Sequence, residues 1–548
     1  MRVAQAVGEV LGGFGVDHVF GVIGSGNLEV SNALRAAGAT FVHARHENAA
    51  VCMADGYARV TQRVGVATCH QGPGLTNAMT GLTEAAKART PLLLLAADTS
   101  AAAVQSNFRI DQDGLVQACG AVAERVHTPT SVVDDLCRAW RRAAVERRAV
   151  TVMLPLDVQA RRAEPPPSAR SAPQAPVAPA PSPQAVRDVT DLICGARRPA
   201  IIAGRGAVLA GAGDALRRLA DRIGAILATS ANGHGVFAGD PWAVGISGGF
   251  ASPVAADLLS SADLLLAFGA SLNMWTTRHG ALVGDDTRVV QVDLDTAALG
   301  AHQMAAVEMV ADATRAADAL LEDLQRREHQ ASGFRSADVA DRIAAGGWRH
   351  VAYEDASTDR TIDPRTLSIA LDELVPAGRS LVIDSGHFMG WPAMYLAVPD
   401  AAGFVFNQSY QSIGLGLAAA IGAAVARPDR LTVAALGDGG AMMALGELET
   451  AAHLGVPLLV VVYNDAAYGA EVHHFGPDGH PVDLVRFPDP DLAAYGRAAG
   501  GQGVTVRSTA DLRALETWLA EPRGLFVVDA KVTPTVVARW LEEAFRAH

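Results

Sequence analysis

Cysteine is scarce in this chain, and its placement argues against a stapled fold. The five cysteines, Cys52, Cys69, Cys119, Cys137 and Cys194, are odd in number, share no paired spacing and all lie within the first 200 of 548 residues, which excludes a disulfide framework and a zinc site from the expectations. Long apolar runs are lacking as well. No stretch approaches the roughly 18–20 residues that cross a bilayer, and the N-terminal MRVAQAVGEVLGGFGVDHVF is broken by Glu9 and Asp17. Positive charge is in deficit: 45 Lys+Arg face 58 Asp+Glu for a formal net charge of -13, and no basic run is interleaved with aromatics. Nucleic acid is therefore not an expected partner, and the acidic balance favours solubility. Together these absences predict a soluble, cytoplasmic protein with no membrane segment.

What is present is apolar material in quantity. Hydrophobic residues make up 50% of the chain and charged ones 19%, enough for several cores, and at this length two to four domains are expected. The clearest break is EPPPSARSAPQAPVAPAPSPQ, residues 164–184, whose Pro, Ala and Ser content builds no core and runs as an extended linker. A second polar, Gly-containing stretch at 329–350 ends the middle segment. The predicted division is an N-terminal domain over 1–163, the linker 164–184, a central domain over 185–330, a second linker over 331–361 and a C-terminal domain over 362–548.

Each block alternates short apolar runs with helical stretches: VGVATC, PLLLLAAD and AVTVMLP in the first, PAIIAG, LLLAFG and RVVQVDLD in the second, SLVIDSG, LTVAALGDG, PLLVVVYND and LFVVDA in the third. Continuous apolar runs between helices predict parallel sheets covered on both faces, an α/β fold. The first and third blocks share an outline, which suggests a duplicated unit. Open parallel sheets bind ligands beyond the carboxyl ends of their strands, so motifs at strand ends carry the functional weight.

One such motif is LGDGGAMMALGELETAAHLGVPLLVVVYND, residues 436–465. Asp438 ends a strand between Gly437, Gly439 and Gly440, whose backbone amides are free to approach an anion, and a helix from about Ala444 presents its N-terminus nearby. Asn464 ends the next strand 26 residues later, so two side-chain oxygens and a backbone carbonyl, assigned to Ala466, converge on one cation. Hard oxygen ligands that share a cation with phosphates describe magnesium. An unrelated Gly-Asp-Gly turn is the competing reading. The complete pattern, with Tyr468-Gly469 behind it, resembles the thiamine diphosphate motif of the acetolactate synthase, benzoylformate decarboxylase and pyruvate decarboxylase family.

Other segments follow the same resemblance in the family's order. ARHENAAVCMADGYAR, residues 44–59, resembles the segment whose glutamate touches the aminopyrimidine ring. That makes Glu47 the activator: a carboxyl on the ring nitrogen favours the imino tautomer that deprotonates the thiazolium. NQSYQSIGLGLAAAIGAA, residues 407–424, resembles the loop and helix that bend the cofactor, with Ile413 as the wedge and the Gln411 carbonyl receiving the amino group, where most relatives have glycine at the Gln411 position. IDSGHFMGWP, residues 383–392, resembles a loop of further diphosphate contacts, hence Gly386 and His387. The resemblance implies three doubly wound parallel-sheet domains of the thiamine diphosphate-dependent decarboxylase type, with thiamine diphosphate and Mg2+ as cofactors.

The reaction depends on the pocket. GVIGSGN, residues 21–27, resembles the substrate-facing loop of benzoylformate decarboxylase, with Ser25 at its serine, and His70, 23 positions after Glu47, is similar to a proton-transferring histidine of that enzyme. NDAAYGAE, residues 464–471, resembles pyruvate decarboxylase, which has an acidic residue where Glu471 stands. Gln112 is a further pocket candidate, the His473-His474 pair is read as part of a lid, and Arg278 or His279 is placed near the active-site mouth. Gly-x-Gly in AGRGAVLAG, residues 203–211, can pass for a dinucleotide fingerprint; FAD is possible here, but a structural role is favoured. The expectation is decarboxylation of a small 2-oxo acid with protonation or carboligation of the enamine, in a homodimer or homotetramer with sites at the subunit interface. An acetolactate synthase-like carboligase, a non-catalytic nucleotide-binding protein and a flavin or nicotinamide oxidoreductase stand as alternatives.

Overall fold

The computed structural model describes residues 1–165 and 171–545. Three six-stranded sheets follow one another along the chain, and every strand pair in them is parallel. The first contains β1 (His18–Gly21), β2 (Thr40–His43), β3 (Gly65–Cys69), β4 (Leu92–Asp98), β5 (Val122–Arg125) and β6 (Ala149–Pro155), in the order β2-β1-β3-β4-β6-β5. The third contains β13 (Ser380–Ile383), β14 (Phe404–Phe406), β15 (Thr432–Gly437), β16 (Leu458–Asn464), β17 (Gln502–Val506) and β18 (Leu525–Lys531), in the order β14-β13-β15-β16-β18-β17. These two orders are the same when each sheet is numbered from its own first strand. The duplicated unit suggested by the sequence is thus present in the topology.

The middle sheet is wired differently. Its strands β7 (Pro199–Ala203), β8 (Ile226–Thr229), β9 (Ala243–Ile246), β10 (Leu264–Phe268), β11 (Arg288–Asp293) and β12 (Val307–Val310) run in the order β12-β11-β10-β7-β8-β9, so the chain reverses direction of build between β7 and β10. The Gly-x-Gly at the end of β7 serves packing there. A Cβ at Gly206 would stand 2.6 Å from the Cα of Gly269, so the loops after β7 and β10 approach as bare backbone.

The strands form because their apolar runs are buried on both faces. β4, β6 and β16 consist almost wholly of buried aliphatic residues, and helices cover both sides. The N- and C-terminal domains share one core through two helices, Glu47–Thr61 and Gly416–Ala426. The second is apolar all round, as a helix enclosed on every side must be. Gly56 and Gly422 let the helices cross at backbone contact, since a Cβ on either would strike the carbonyl of Ala419 or Met53.

A buried charge cluster lies beside this crossing. Arg59 pairs with Asp55 at 2.8 Å and with Glu84 at 2.8 Å, and donates to the carbonyl of Phe406 at 2.9 Å. Glu84 also accepts the backbone N–H groups of Ser409 (3.1 Å) and Tyr410 (2.6 Å), gripping the loop after β14 of the C-terminal domain from the N-terminal domain. Glu447 does the reverse, accepting the N–H groups of Arg45 (2.9 Å) and His46 (3.1 Å) just ahead of Glu47. Arg205 of the middle domain faces the same cluster; burial first, and then Arg59, hold its guanidinium down at about 9 in spite of Asp55 and Glu84.

The segments between domains differ from bare connectors. Part of the linker expected over 164–184, residues 166–170, lies outside the described residues; Ser182 already caps the helix Pro183–Gly195. The stretch 331–361 carries the helix Ala337–Ala345, whose Val339 and Ile343 join the central domain's core. All five cysteines are free thiols, and no helix among the described residues is long and apolar enough to cross a membrane.

Candidate active site

The carboxyl ends of β13, β15 and β16 open into a groove of about 2230 Å3. It is lined by Gly386, His387, Gln411, Ile413, Gly437, Asp438, Gly439, Gly440, Tyr468 and Glu471, so the structure gathers ten of the residues expected from sequence at one place. Asp438 opens a short helix, Asp438–Met443, that begins directly at the strand end, earlier than the helix expected from about Ala444. Gly439 is required by Tyr468, whose Cε1 would stand 2.5 Å from a Cβ there, so backbone amide and aromatic ring share a tight wall.

Of the two strand-end residues expected to face a cation together, Asp438 lines the groove and Asn464 does not. Asn464 turns into the domain: its Nδ2 donates to Asp529 (2.8 Å), Asp489 (3.2 Å) and the Pro490 carbonyl (3.3 Å), while its Oδ1 accepts the N–H of Ala466 at 3.1 Å. With both ends of the amide in use, Asn464 is an anchor of the strand end, and neither it nor Ala466 lines the groove. Asp465 and Ala467 line it instead. The physical reason is strand alternation: successive residues leave β16 on opposite sides, so the residue after Asn464 faces where Asn464 does not.

Asp438 and Asp465 therefore face one another in a buried setting. Burial first, and then the Asp465 charge, push the Asp438 carboxyl up to about 8, and burial pushes Asp465 up to about 6. The Oδ2 of Asp438 has no hydrogen-bond partner. A buried Asp438 carboxyl with an orphaned oxygen, set beside the charge of Asp465, fits a hard divalent cation. No group of three or more His, Cys, Asp or Glu gathers among the described residues.

The loop of Gln411 and Ile413 is positioned by Asp384, at the end of β13. Its carboxylate is fully buried and accepts the N–H groups of Gly414 (2.8 Å), Leu415 (3.2 Å) and Gly416 (3.1 Å), and burial raises it to about 6 against these bonds. Those amides frame Ile413. Gln411 adopts φ 60, in the left-handed region, and its carbonyl accepts from Ser385 Oγ at 3.4 Å. Glycine would adopt this conformation freely, and Gln411 holds it at a cost of about 1 kcal/mol or more. His387 is half-buried, held down to about 3 by desolvation and by His473 beside it, and its Nε2 accepts the N–H of Ala538 at 3.2 Å. The C-terminal segment that supplies this contact also lines the groove through Val536, Trp540 and Leu541.

Glu47, His70 and Ser25 lie outside the groove and form a second cluster on the N-terminal domain. Glu47 begins the helix Glu47–Thr61, and its Oε2 accepts from Asn77 Nδ2 at 3.0 Å. Gly74 separates it from His70: a Cβ there would stand 3.3 Å from Glu47 Oε1 and 3.2 Å from His70 Cβ. His70 follows β3, meets the Phe108 ring edge-on at 5.0 Å, and accepts the N–H of Gly26 at Nδ1 over 3.1 Å. Burial lowers its basicity and the Glu47 charge acts against that. Ser25 is exposed between Gly24 and Gly26. Gln112 is not a pocket residue, because its amide is spent on Gly72 N–H (2.8 Å) and the Ala97 carbonyl (3.0 Å). Arg278 pairs with Glu543 of the C-terminal helix, and His279 is exposed.

Asp465, Asp384, Glu84 and Glu447 were not singled out from sequence. Asp384 follows an apolar run directly and Asp465 follows one after Asn464, which is a readable strand-end signal; Glu84 and Glu447 sit inside helices, where no local pattern marks a carboxylate that grips another domain.

Three parallel α/β domains, with a carboxylate pair and an amide-rich loop at strand ends of the third, place the site beyond the carboxyl edge of an open parallel sheet. Comparison with known proteins makes the class specific. The thiamine pyrophosphate enzyme N-terminal TPP binding domain matches residues 1–120, the central domain matches 186–320 and the C-terminal TPP binding domain matches 384–530. The chain belongs to the thiamine pyrophosphate (thiamine diphosphate) enzymes. It is 31% identical to a protein of Pseudomonas aeruginosa named as a probable 2-ketoarginine decarboxylase, over 94% of this chain and 91% of that one. It is 29% identical to the acetolactate synthase large subunit of Parasynechococcus marenigrum, over 92% of this chain and 83% of that one. It is 28% identical to the sulfoacetaldehyde acetyltransferase of Alcaligenes xylosoxydans xylosoxydans, over 93% of this chain and 89% of that one.

Proposed function

We propose that the chain is a thiamine diphosphate- and magnesium-dependent enzyme that releases carbon dioxide from a 2-oxo acid and passes the remaining acyl unit to a proton or to a second carbonyl. The observation that carries this reading is the buried Asp438, with its orphaned oxygen, sharing a groove with Asp465 and with the loop of Gln411 and Ile413. Asp438, Asp465 and the Ala467 carbonyl would hold magnesium, and Gly437, Gly439, Gly440, Gly386, His387 and Tyr468 would surround the diphosphate. Ile413 would bend the cofactor and the Gln411 carbonyl receive its amino group. The bound cofactor supplies the carbanion chemistry.

Glu47, as the group that activates the cofactor, belongs to a different half-site from Asp438 in the same chain. A complete site therefore needs Glu47 of one copy over the Asp438 groove of another, which makes a homodimer the minimal active unit and accommodates a homotetramer. Exposed apolar residues border both halves, Ile23, Leu28, Phe108 and Ile110 on one and Met443, Tyr468 and Phe475 on the other, as surfaces awaiting a second copy would.

Glu471 lies exposed at the groove, and its carboxylate has no hydrogen-bond or ion-pair partner among the described residues. It suits either a proton relay or a donor with a cationic tail, and the relative named for 2-ketoarginine makes the second choice concrete. The test is carbon dioxide release from pyruvate, benzoylformate and 2-ketoarginine with cofactor and Mg2+ present, with the organic product identified. A free aldehyde identifies a decarboxylase and an acyloin or acetohydroxy acid identifies a carboligase. No release from any of a broad panel of 2-oxo acids, with cofactor bound, would defeat the proposal.

A further inference from the structure

We infer that His70 works as a neutral hydrogen-bond donor through Nε2, and not as a group that gives up or takes a proton. For its catalytic consequence this rests on the 2-oxo acid reading above; the tautomer itself does not.

The argument starts from the Gly24-Ser25-Gly26 loop, which closes on the imidazole. A Cβ at Gly24 would stand 2.8 Å from His70 Cγ and 2.9 Å from Nδ1, so bare backbone packs against the ring. The Gly26 backbone is pinned on both sides: its carbonyl accepts from Gln159 Nε2 at 3.1 Å while its N–H points at His70 Nδ1 at 3.1 Å. Asn27 fixes the rest of the loop, accepting the Gly24 N–H at 2.8 Å and donating to the Val22 carbonyl and Thr68 Oγ1 at 3.1 and 3.2 Å. A backbone amide cannot reverse its polarity, so Nδ1 must be the acceptor.

Neutral imidazole with Nδ1 as acceptor carries its one proton on Nε2. Adding a second proton at Nδ1 would set two N–H donors against each other over the same 3.1 Å, and burial opposes the charge as well. Glu47 is the one charged group whose field is resolved at the ring, and it favours protonation without overcoming burial. The apolar edge of Phe108 faces the ring from another side, and the helix Pro73–Asn77 contributes Gly74 and the uncharged Asn77. Loss of the Nε2 proton from a neutral ring would leave an imidazolate, which is out of reach near neutrality. Neither half of a proton relay is thus available. What remains is a fixed N–H dipole in the neighbourhood of Glu47, suited to an oxygen of the bound 2-oxo acid that gains negative charge.

Two measurements test this. Nitrogen chemical shifts of histidine-labelled protein without cofactor, assigned by loss of the signal in His70→Leu, should show a neutral ring protonated on Nε2 at pH 7, titrating below 6.5. An Nδ1-protonated ring or an imidazolium at pH 7 would overturn the proposal. In turnover, His70→Gln keeps an uncharged N–H near the Nε2 position; it should retain kcat within about tenfold of wild type and leave the pH profile unmoved, whereas His70→Leu loses about 100-fold or more. A glutamine variant as inactive as the leucine one, both folded by circular dichroism, would also overturn it. Should the unaltered enzyme act on no 2-oxo acid, the functional reading falls and the nitrogen shifts still decide the tautomer.

Discussion

Replacing Glu84 by glutamine changes no atom's position in principle and removes one negative charge from the crossing of the N- and C-terminal domains. In the native cluster the Glu84 carboxylate accepts from Arg59 Nη2 and from the amides of Ser409 and Tyr410. A glutamine offers one acceptor oxygen and turns an NH2 toward one of these donors. Charge-assisted hydrogen bonds contribute about 1.5–3 kcal/mol, and removing one partner of a buried pair costs about 3–5 kcal/mol. Arg59 keeps Asp55, so the expected loss is in the lower part of that range, about 3–4 kcal/mol. For a domain of this size that corresponds to a fall in melting temperature of about 6–15 °C. Thermal unfolding of protein without cofactor reads this directly. A shift under about 2 °C would mean that the cluster is open to water and that Glu84 does not hold the loop.

Asp465→Ala should weaken Mg2+-dependent cofactor binding, measured by fluorescence titration, by more than the about 10–100-fold typical of a lost outer partner, and Asn464→Ala should lower the melting temperature while leaving that affinity within about tenfold; the opposite pattern would restore Asn464 as the ligand. Chelation of divalent metal should release the cofactor and be reversed by Mg2+. Glu47→Gln and Asp438→Asn should each abolish turnover, yet co-expressed they should recover up to about a quarter of wild-type activity, since half the dimers then carry one intact site; no recovery would place both residues in one chain's site. Gln411→Gly should remove left-handed strain of about 1 kcal/mol and give a protein at least as stable as wild type in thermal scans, with a clear loss of stability counting against strain at this position.

The legible part of the fold was the part buried on two sides. The ten apolar runs read from sequence all lie in strands, namely β3, β4, β6, β7, β10, β11, β13, β15, β16 and β18, which fill most inner sheet positions. The strands without such a signal are short, and most lie at or next to an edge: β2 is half exposed, β5 partly so, and β9 and β17 carry Gly245 and Gly503. One water-facing side removes the continuous apolar run that marks a central strand. At the site, Asp438 was legible because glycines flank it, while the choice between Asn464 and Asp465 turned on which side of β16 each leaves. The Ser25 loop was legible as a motif, but the hydrogen bond that sets the His70 tautomer joins residues 44 positions apart.

Glu84 and Glu447 make a reciprocal pair of grips: each domain holds, by the backbone, the segment that leads into the other's functional residue. In the dimer proposed here, Glu47 of a chain serves one catalytic centre and the Gln411–Ile413 loop of that same chain serves the other. Each chain is then a rigid yoke between two centres about to do the same chemistry. Ordering the loop around cofactor at one centre draws on Glu84 and the shared helix crossing, and the same framework carries Glu47 into its opposite number. In such a dimer the two centres would share one framework, and occupancy of the first should change the affinity or the rate of the second.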